Sequence, residues 1–207
     1  GTSEYNQIVD IGFKIRDAIN IYYETNSQED PTSNFQWEFV LVDDDQTKNA
    51  WCMPGGKIAF YSGILPILKN EDGVASVMGH EIAHAVARHS AERASTAMVT
   101  DLGIMALEQF VLGQRLPQAA GYVRQFGLDL PFNRKQESEA DYLGLIFSSL
   151  AGYDINESYK VWERMKEDMG GSGPSEFFST HPSPDNRINN LKGWIPLVNA
   201  KYPAINA

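Results

Sequence analysis

The part of the chain that most restricts the possible folds is residues 74–86, where apolar side chains recur at the spacing of a buried helix. Its apolar positions include Val74, Val77, Met78, Ile82 and Val86. The same stretch carries His80 and His84, and residues four apart share one face of a helix. Both imidazoles can therefore reach one metal ion, while Glu81 stays close enough to contact a water molecule on it. The sequence predicts a buried helix that holds a metal.

Residues 80–84 read His-Glu-Ile-Ala-His and match HExxH, a pattern in which two histidines bind zinc and the glutamate is the general base of a metallopeptidase. A catalytic zinc takes three protein ligands and keeps a fourth position open. His89 lies one residue too early to be the third histidine of the metzincin pattern. We interpret it as a residue at the C-terminal end of the helix, where an imidazole interacts favourably with the helix dipole.

Glu137 is a better candidate for the third ligand. It lies one helical turn before Asp141 in a second predicted helix, residues 135–150. A carboxylate ligand followed by an acid that hydrogen-bonds a zinc-bound imidazole would let one helix complete the site. Acids four residues apart are also common on solvated helix faces, so this spacing alone leaves both interpretations open.

Further motifs occur in the order found in one family of zinc peptidases. They are Asn49-Ala50, Pro54-Gly55-Gly56-Lys57, Leu68-Lys69-Asn70-Glu71-Asp72, the run from Glu137 through Ala140 and Asp141 to Gly144, and Ser179-Thr180-His181-Pro182 followed by Arg187. From about Asp10 to Trp194 the chain resembles the family that includes HtpX, the bacterial BepA and LoiP proteases, mitochondrial Oma-type proteases and CAAX prenyl proteases. The resemblance implies a gluzincin-type zinc metalloendopeptidase with one zinc per chain, held by His80, His84 and Glu137.

The resemblance also implies roles for residues outside the ligand set. Asp141 would orient His80, and the catalytic residues would be Glu81, His181 and Arg187, the last two stabilising the oxyanion. A second role for His181 stays open, because it could instead bind zinc as a fourth ligand and hold the enzyme inactive. Both His181 and Arg187 follow the glycine-rich segment 170–173, which we predict to be flexible.

The remaining patterns predict an α+β fold that is mainly α-helical and of zincin type, with a small antiparallel sheet or hairpin beside the HExxH helix. The hairpin is expected from residues 49–53 and 57–61, which flank Pro54-Gly55-Gly56. It could align an extended substrate along its edge or be purely structural. We expect one metallopeptidase domain over residues 1–207, with an N-terminal helix and sheet at 5–61, metal-binding helices at 62–151 and C-terminal helices at 154–195.

The net charge of −10 argues against nucleic-acid binding and against electrostatic docking on anionic lipid. The most apolar stretch, residues 96–113, contains Asp101 and Glu108, so we predict a core or hairpin helix there and no transmembrane segment. Cys52 is the single cysteine and cannot form an internal disulfide. The chain begins without Met, and we expect an upstream signal or lipid anchor that could attach the protein to a membrane.

Together these observations predict a zinc endopeptidase that cleaves unfolded or misfolded polypeptides. The resemblance is strongest to the compact LoiP-like members, which implies a periplasmic protein, associated with the outer membrane as a lipoprotein, that acts in quality control of the bacterial envelope. The alternative is a zinc-stabilised, chaperone-like binding module without proteolysis. Such a module would need the same ligands but not Glu81, so the presence of Glu81 favours the enzyme.

Overall fold

The computed structural model describes residues 1–92, 134–172, 177, 181 and 184–205. The helices in these ranges are α1 Ser3–Thr25, α2 Leu65–Leu68, α3 Glu71–Val86, α4 Arg134–Leu150, α5 Glu157–Ser172 and α6 Pro184–Lys201, with a 3₁₀ turn at Ser62–Ile64. The strands are β1 Glu38–Val42, β2 Ala50–Met53 and β3 Lys57–Tyr61. This architecture confirms the predicted fold class. The helix predicted at residues 96–113 lies outside the described residues.

The three strands form a small sheet in the order β1-β3-β2. The predicted hairpin is present, because β2 pairs antiparallel with β3 and the turn uses Gly55 and Gly56 at φ of 90° and 84°, values that glycine adopts readily. The sheet as a whole is not antiparallel, since β1 pairs parallel with β3. After β1 the chain turns through residues 43–49, where the backbone N–H of Asp44 donates to Ser62 Oγ at 2.9 Å. After this connection, β1 pairs with the edge of β3 that β2 does not occupy.

The long helix α1 supplies one wall of the core. Its isoleucines at helical spacing are fully buried: Ile8, Ile11, Ile15 and Ile19. They belong to one apolar cluster that includes residues of the sheet and of every helix named above. Each such side chain contributes about 1.5–3 kcal/mol when fully buried, so this helix fixes the sheet against the metal-binding helices.

Helices α3 and α4 cross where two glycines face each other. A Cβ on Gly79 would lie 2.9 Å from the carbonyl oxygen of Gly144, and a Cβ on Gly144 would lie 2.9 Å from the backbone nitrogen of His80. Real Cβ atoms do not fit at such distances, so the backbones approach closely only because both residues are glycine. Ser148 Oγ also donates to the carbonyl of Ala75 at 3.1 Å. This crossing brings the face of α4 that carries the acids against His80.

Several boundaries differ from the sequence-based expectation. Helix α3 ends at Val86, three residues before the predicted end, because Arg88 has a φ of 57° and the chain turns there. Helix α5 continues to Ser172 through three residues of the segment predicted to be flexible, since glycine weakens a helix by roughly 0.5–1 kcal/mol without excluding it. Helix α6 runs past residue 195 to Lys201. No helix in the described ranges has the length and apolar character needed to cross a bilayer.

Candidate metal centre

Four buried side chains converge at the crossing of α3 and α4. His80 and His84 come from α3, Glu137 comes from the first turn of α4, and His181 precedes α6. One nitrogen or oxygen atom from each lies within 4.8 Å of the others. The structure thus brings together the three ligands predicted from the sequence and adds His181 as a fourth candidate.

The spacing of these atoms fits a tetrahedral zinc ion. Ligands bound at 2.0–2.1 Å in a tetrahedron lie about 3.3 Å from one another. His84 Nε2 is 3.1 Å from His80 Nε2 and 3.3 Å from Glu137 Oε1. His181 Nδ1 is 3.3 Å from His80 Nε2 and 3.0 Å from Glu137 Oε1. A set of three imidazoles and one carboxylate is also the kind of donor set that zinc prefers.

A buried acid and an arginine hold the His80 side of the centre. His80 Nδ1 lies 3.0 Å from Asp141 Oδ1. The Arg187 guanidinium donates to both oxygens of Asp141, at 2.7 Å from Nε and 2.6 Å from Nη2, and its Nη1 lies 2.5 Å from Glu137 Oε2. Its Cζ stacks 3.6 Å from the centre of the Trp162 ring. Arg187 therefore contacts two acids and an aromatic ring in the interior, and neutralises part of their charge.

The charges of the centre shift the pKa values of its groups. Burial raises the pKa of Glu137, but the neighbouring His181 and Arg187 outweigh burial and lower it. Burial likewise raises the pKa of Asp141, but Arg187 and His80 outweigh burial and lower it. Burial lowers the pKa of His84 well below its usual value, against the opposing hydrogen bond to Glu137. These directions keep the carboxylates ionised and the His84 imidazole neutral, which are the forms that bind a metal.

Glu81 is buried next to this cluster without being part of it. Its Oε1 lies 3.3 Å from His181 Nε2, yet it has no hydrogen-bond partner among the described residues. Burial raises the pKa of its carboxyl, the nearby His181 and His80 oppose that rise, and Glu137 adds to it. A buried carboxylate oxygen without a donor is costly, and such groups concentrate at functional sites.

Comparison with known proteins decides the class of this centre. The model for peptidase family M48 matches residues 20–195. The chain belongs to peptidase family M48. It is 43% identical over 171 residues to the Mitochondrial metalloendopeptidase OMA1 of Schizosaccharomyces pombe, covering 82% of this chain and 50% of that protein. It is 36% identical over 211 residues to the protein of the same name from Saccharomyces cerevisiae, covering 95% and 57%.

A bacterial protein is similar as well. The Beta-barrel assembly-enhancing protease of Yersinia pestis is 30% identical over 168 residues, which cover 75% of this chain and 34% of that protein. The chain spans about half the length of the two fungal relatives. Membership of M48 confirms the predicted family, the predicted class of zinc metallopeptidase and zinc as the cofactor that His80, His84, Glu137 and His181 can bind. The separate roles of Glu81, Asp141, His181 and Arg187 stay predictions.

One histidine next to the M48 centre, His89, lies at a place that the sequence did not predict. His89 is not at the C-terminal end of α3, because the helix ends at Val86 and a new helical turn begins at residue 89. Its side chain is buried, with Nδ1 only 2.9 Å from Nδ1 of His84. A left-handed residue such as Arg88 leaves no periodic signal, so spacing along the helix could not reveal this contact.

Proposed function

We propose that this chain carries the catalytic site of a zinc endopeptidase that cleaves polypeptides bound in an extended conformation. His80, His84 and Glu137 would hold the zinc, which when bound polarises a carbonyl group and acidifies water. Glu81 would accept a proton at Oε1 from the attacking water and deliver it to the leaving amine. The observation that carries this proposal is the buried Oε1 of Glu81, which lies beside the ligands without a hydrogen bond from the described residues.

The contacts of His181 support the inhibitory role rather than the oxyanion role. Its Nδ1 lies 3.3 Å from His80 Nε2 and 3.0 Å from Glu137 Oε1, the distances expected between two ligands of one zinc ion. Its Nε2 lies 3.3 Å from Glu81 Oε1. The imidazole therefore fills the space between the ligands and the proposed base, where water and substrate have to meet. We infer that this arrangement is a closed form and that substrate binding displaces His181.

The contacts of Arg187 support a positioning role. All three of its terminal nitrogen groups face the carboxylates of Asp141 and Glu137, and the residue is buried. In this arrangement it orients one ligand directly and His80 through Asp141. Direct stabilisation of an oxyanion by Arg187 would require it to leave both carboxylates.

The edge of β2 supports extended substrates. Antiparallel ladders alternate between bonded and non-bonded pairs, and the Tyr61 N–H donates to the Asn49 carbonyl at 3.1 Å. In this alternation the backbone N–H and C=O of Cys52 point away from β3, and no described strand pairs with that edge. Strand β2 packs against α3, the helix that carries Glu81, and burial together with the charge of Glu81 raises the pKa of the Cys52 thiol. A substrate strand could pair there through its own backbone.

A cavity beside His84 supports a preference for an apolar substrate side chain. Its volume is about 190 Å³, and its walls include Pro31, Phe35 and Pro54, with Arg88 among the lining residues. Sites for whole small molecules usually measure about 300–1,000 Å³, so this cavity suits a single side chain. Since Pro54 directly follows β2, a chain paired with that strand would run towards the cavity. Cleavage of a peptide library by the parent and by Phe35→Ala would test this preference.

We propose unfolded or misfolded polypeptides as the substrates, in protein quality control. The predicted setting is the bacterial periplasm, and the similarity to a bacterial protease supports it. The greater similarity to fungal proteins named as mitochondrial supports a mitochondrial setting as the second candidate. Fractionation of cells that express the full-length gene distinguishes the two, and a purely cytosolic product would contradict both.

Hydrolysis of casein tests the proposed function. The parent protein should cleave casein, lose activity with a zinc chelator and regain it when zinc is restored. Glu81→Gln should retain zinc but lose roughly 10²–10⁴-fold in rate, because an amide cannot accept the proton. Glu163→Gln, at a half-exposed acid of α5 in a surface ion pair with Lys192, is the matched control and should behave as the parent. Parent-like cleavage by Glu81→Gln would favour another base. No cleavage by the zinc-loaded parent or by zinc-loaded His181→Ala, which lacks the residue proposed to close the site, would favour the chaperone-like module.

A further inference from the structure

We propose that His89 and Glu139 form a hydrogen-bonded relay that holds the imidazole of His84 in the tautomer and orientation required for zinc binding. The proposal rests on zinc binding at His84, which the donor set and the family support, and not on peptide hydrolysis. It adds His89 and Glu139 as positioning residues.

The two nitrogens of His84 face different groups. Nε2 points to the ligand cluster, 3.1 Å from His80 Nε2 and 3.3 Å from Glu137 Oε1. Nδ1 lies 2.9 Å from Nδ1 of His89. Zinc needs the lone pair of Nε2, so the proton of the neutral ring resides on Nδ1 and is donated. The hydrogen-bond partner of a metal-bound imidazole sets its tautomer in this way.

The chemistry of His84 then determines the tautomer of His89. Because His89 Nδ1 must accept the proton of His84, the His89 ring carries its own proton on Nε2. That atom lies 3.5 Å from Glu139 Oε2, a long contact to a carboxylate whose side chain is 51% exposed. A chain of donors and acceptors thus runs from the ligand through a buried imidazole to a surface acid. A neutral histidine can link two partners in this manner, because it accepts at one nitrogen and donates at the other.

The backbone fixes His89 in place. Arg88 adopts a φ of 57°, so the chain turns directly after α3, and His89 contacts His84. The helical turn that starts at residue 89 is tied to α4 by a hydrogen bond of 2.8 Å from Gln136 Nε2 to Glu92 Oε2. Helix α4 also carries Glu137 and Glu139. Helix α4 therefore supplies the ligand Glu137, the hydrogen bond from Gln136 that holds the turn after Arg88, and Glu139 at the end of the relay.

Zinc affinity measured by competition with a chelator tests the relay without any assay of hydrolysis. His89→Leu removes the acceptor for His84 and should weaken zinc binding by about 10–100-fold, the usual effect of losing the partner of a metal-bound imidazole. His89→Asn places an amide oxygen near the position of Nδ1 and should restore most of that affinity. Glu139→Ala should weaken binding by less than His89→Leu, because its contact is long and half exposed. Glu163→Ala is the matched surface control.

The visible spectrum of the cobalt-substituted protein gives a second readout. At saturating cobalt the ligand-field bands of His89→Leu should differ from those of the parent, and those of Glu163→Ala should not. The relay is overturned if His89→Leu folds, binds zinc as tightly as the parent and leaves the cobalt bands unchanged. If His89→Leu does not fold, Glu139→Ala decides the matter, and parent-like zinc affinity in that variant overturns the relay.

Discussion

The two histidines of the HExxH motif lie one turn apart on the same helix, yet their surroundings differ. His80 is held at Nδ1 by Asp141, which is fully enclosed and bonded to Arg187. His84 is held at Nδ1 by His89, which leads to an acid at the surface. One half of the centre is therefore anchored in the core by opposite charges, and the other half is joined to solvent by neutral rings.

This difference indicates which side of the centre needs its charges for stability. A buried ion pair that loses one partner typically costs about 3–5 kcal/mol, because the remaining charge stays buried. A surface acid that loses its partner costs much less, since water replaces the contact. We expect substitutions on the His80 side to affect folding and zinc binding together. Substitutions on the His84 side should affect mainly zinc binding.

The largest expected effect is the loss of stability in Arg187→Met. Without the guanidinium, the carboxylates of Glu137 and Asp141 remain buried, and the free energy of unfolding of the metal-free protein should fall by about 3–5 kcal/mol. Zinc should restore part of that loss, because its charge replaces the cation. Urea denaturation with and without zinc measures both. Lys192→Met, at a surface ion pair on the same helix, is the control and should cost about 0–1 kcal/mol.

Arg187→Met also separates two roles for this residue. An oxyanion donor would lower kcat and leave zinc affinity intact, which was the expectation from the sequence. The observed contacts to two carboxylates predict that zinc affinity falls as well. Unchanged stability together with unchanged zinc affinity would return Arg187 to the oxyanion role and would weaken the contrast between the two halves.

The next effect in size is on zinc binding in Asp141→Asn. The amide keeps the shape of the side chain but removes the charge that faces His80 and Arg187, and zinc should bind about 10–100-fold more weakly. The metal-free protein should also be less stable than the parent, in contrast to Glu139→Ala. Chelator competition and thermal unfolding of both variants would check this pair. Equal stability losses in the two variants would contradict the contrast.

A smaller change in zinc binding is expected for His181→Ala, because the partners of His80 and of His84 both remain in place. If His181 is an inhibitory ligand, its removal should raise casein hydrolysis and weaken zinc binding by less than the roughly 10–100-fold expected at Asp141. An oxyanion donor would give the opposite result, with slower hydrolysis and unchanged zinc affinity. Initial rates at saturating zinc distinguish the two. Parent-like rates would mean that His181 only packs against the centre.

The smallest effect is a shift in melting temperature for metal-free Glu81→Gln. Burial is the main cause that raises the pKa of the Glu81 carboxyl above its usual 4.5, so the ionised form destabilises the fold at pH values above that range. Glutamine removes this cost, and the variant should melt higher than the parent at pH 7, by about 2–4 °C for each 1 kcal/mol. The difference should vanish near pH 4, where the unfolded carboxyl is also protonated. A lower melting temperature at pH 7 would contradict the assignment.

The acids of the centre give the opposite pH dependence. The folded-state pKa values of Asp141 and Glu137 lie below their usual values of 3.8 and 4.5, so their stabilising effect is complete above those values and is lost as the pH falls below them. The folded-state pKa of His84 lies below its usual value, so protonation of the unfolded chain lowers the stability further below about pH 6.5. In metal-free Glu81→Gln, which lacks the opposing carboxyl, the free energy of unfolding measured with urea should therefore fall from pH 6.5 downwards.

The sequence predicted those parts of the centre that depend on helix periodicity. His80 with His84 follows from a spacing of four residues. The same spacing of Glu137 and Asp141 also fits a solvated helix face, so their assignment came from the resemblance to the peptidase family. His89 could not be predicted, because its place depends on the left-handed turn at Arg88. The parallel pairing of β1 was missed for a similar reason, since strand order depends on how the connection at residues 43–49 packs. The stacking of Arg187 on Trp162 joins two helices whose packing no local pattern describes.

The order in which the centre is assembled follows from the distances between its residues along the chain. Arg187 contacts His80 across 107 positions, and His181 contacts the same residue across 101. At a synthesis rate of about 5–20 residues per second, the metal-binding helix emerges from the ribosome roughly 5–20 s before the arginine that completes its anchor. A growing chain therefore cannot finish its zinc centre until almost every helix described here has been made. Until residue 187 has been made, the carboxylates of Glu137 and Asp141 lack the cation that the finished fold places between them.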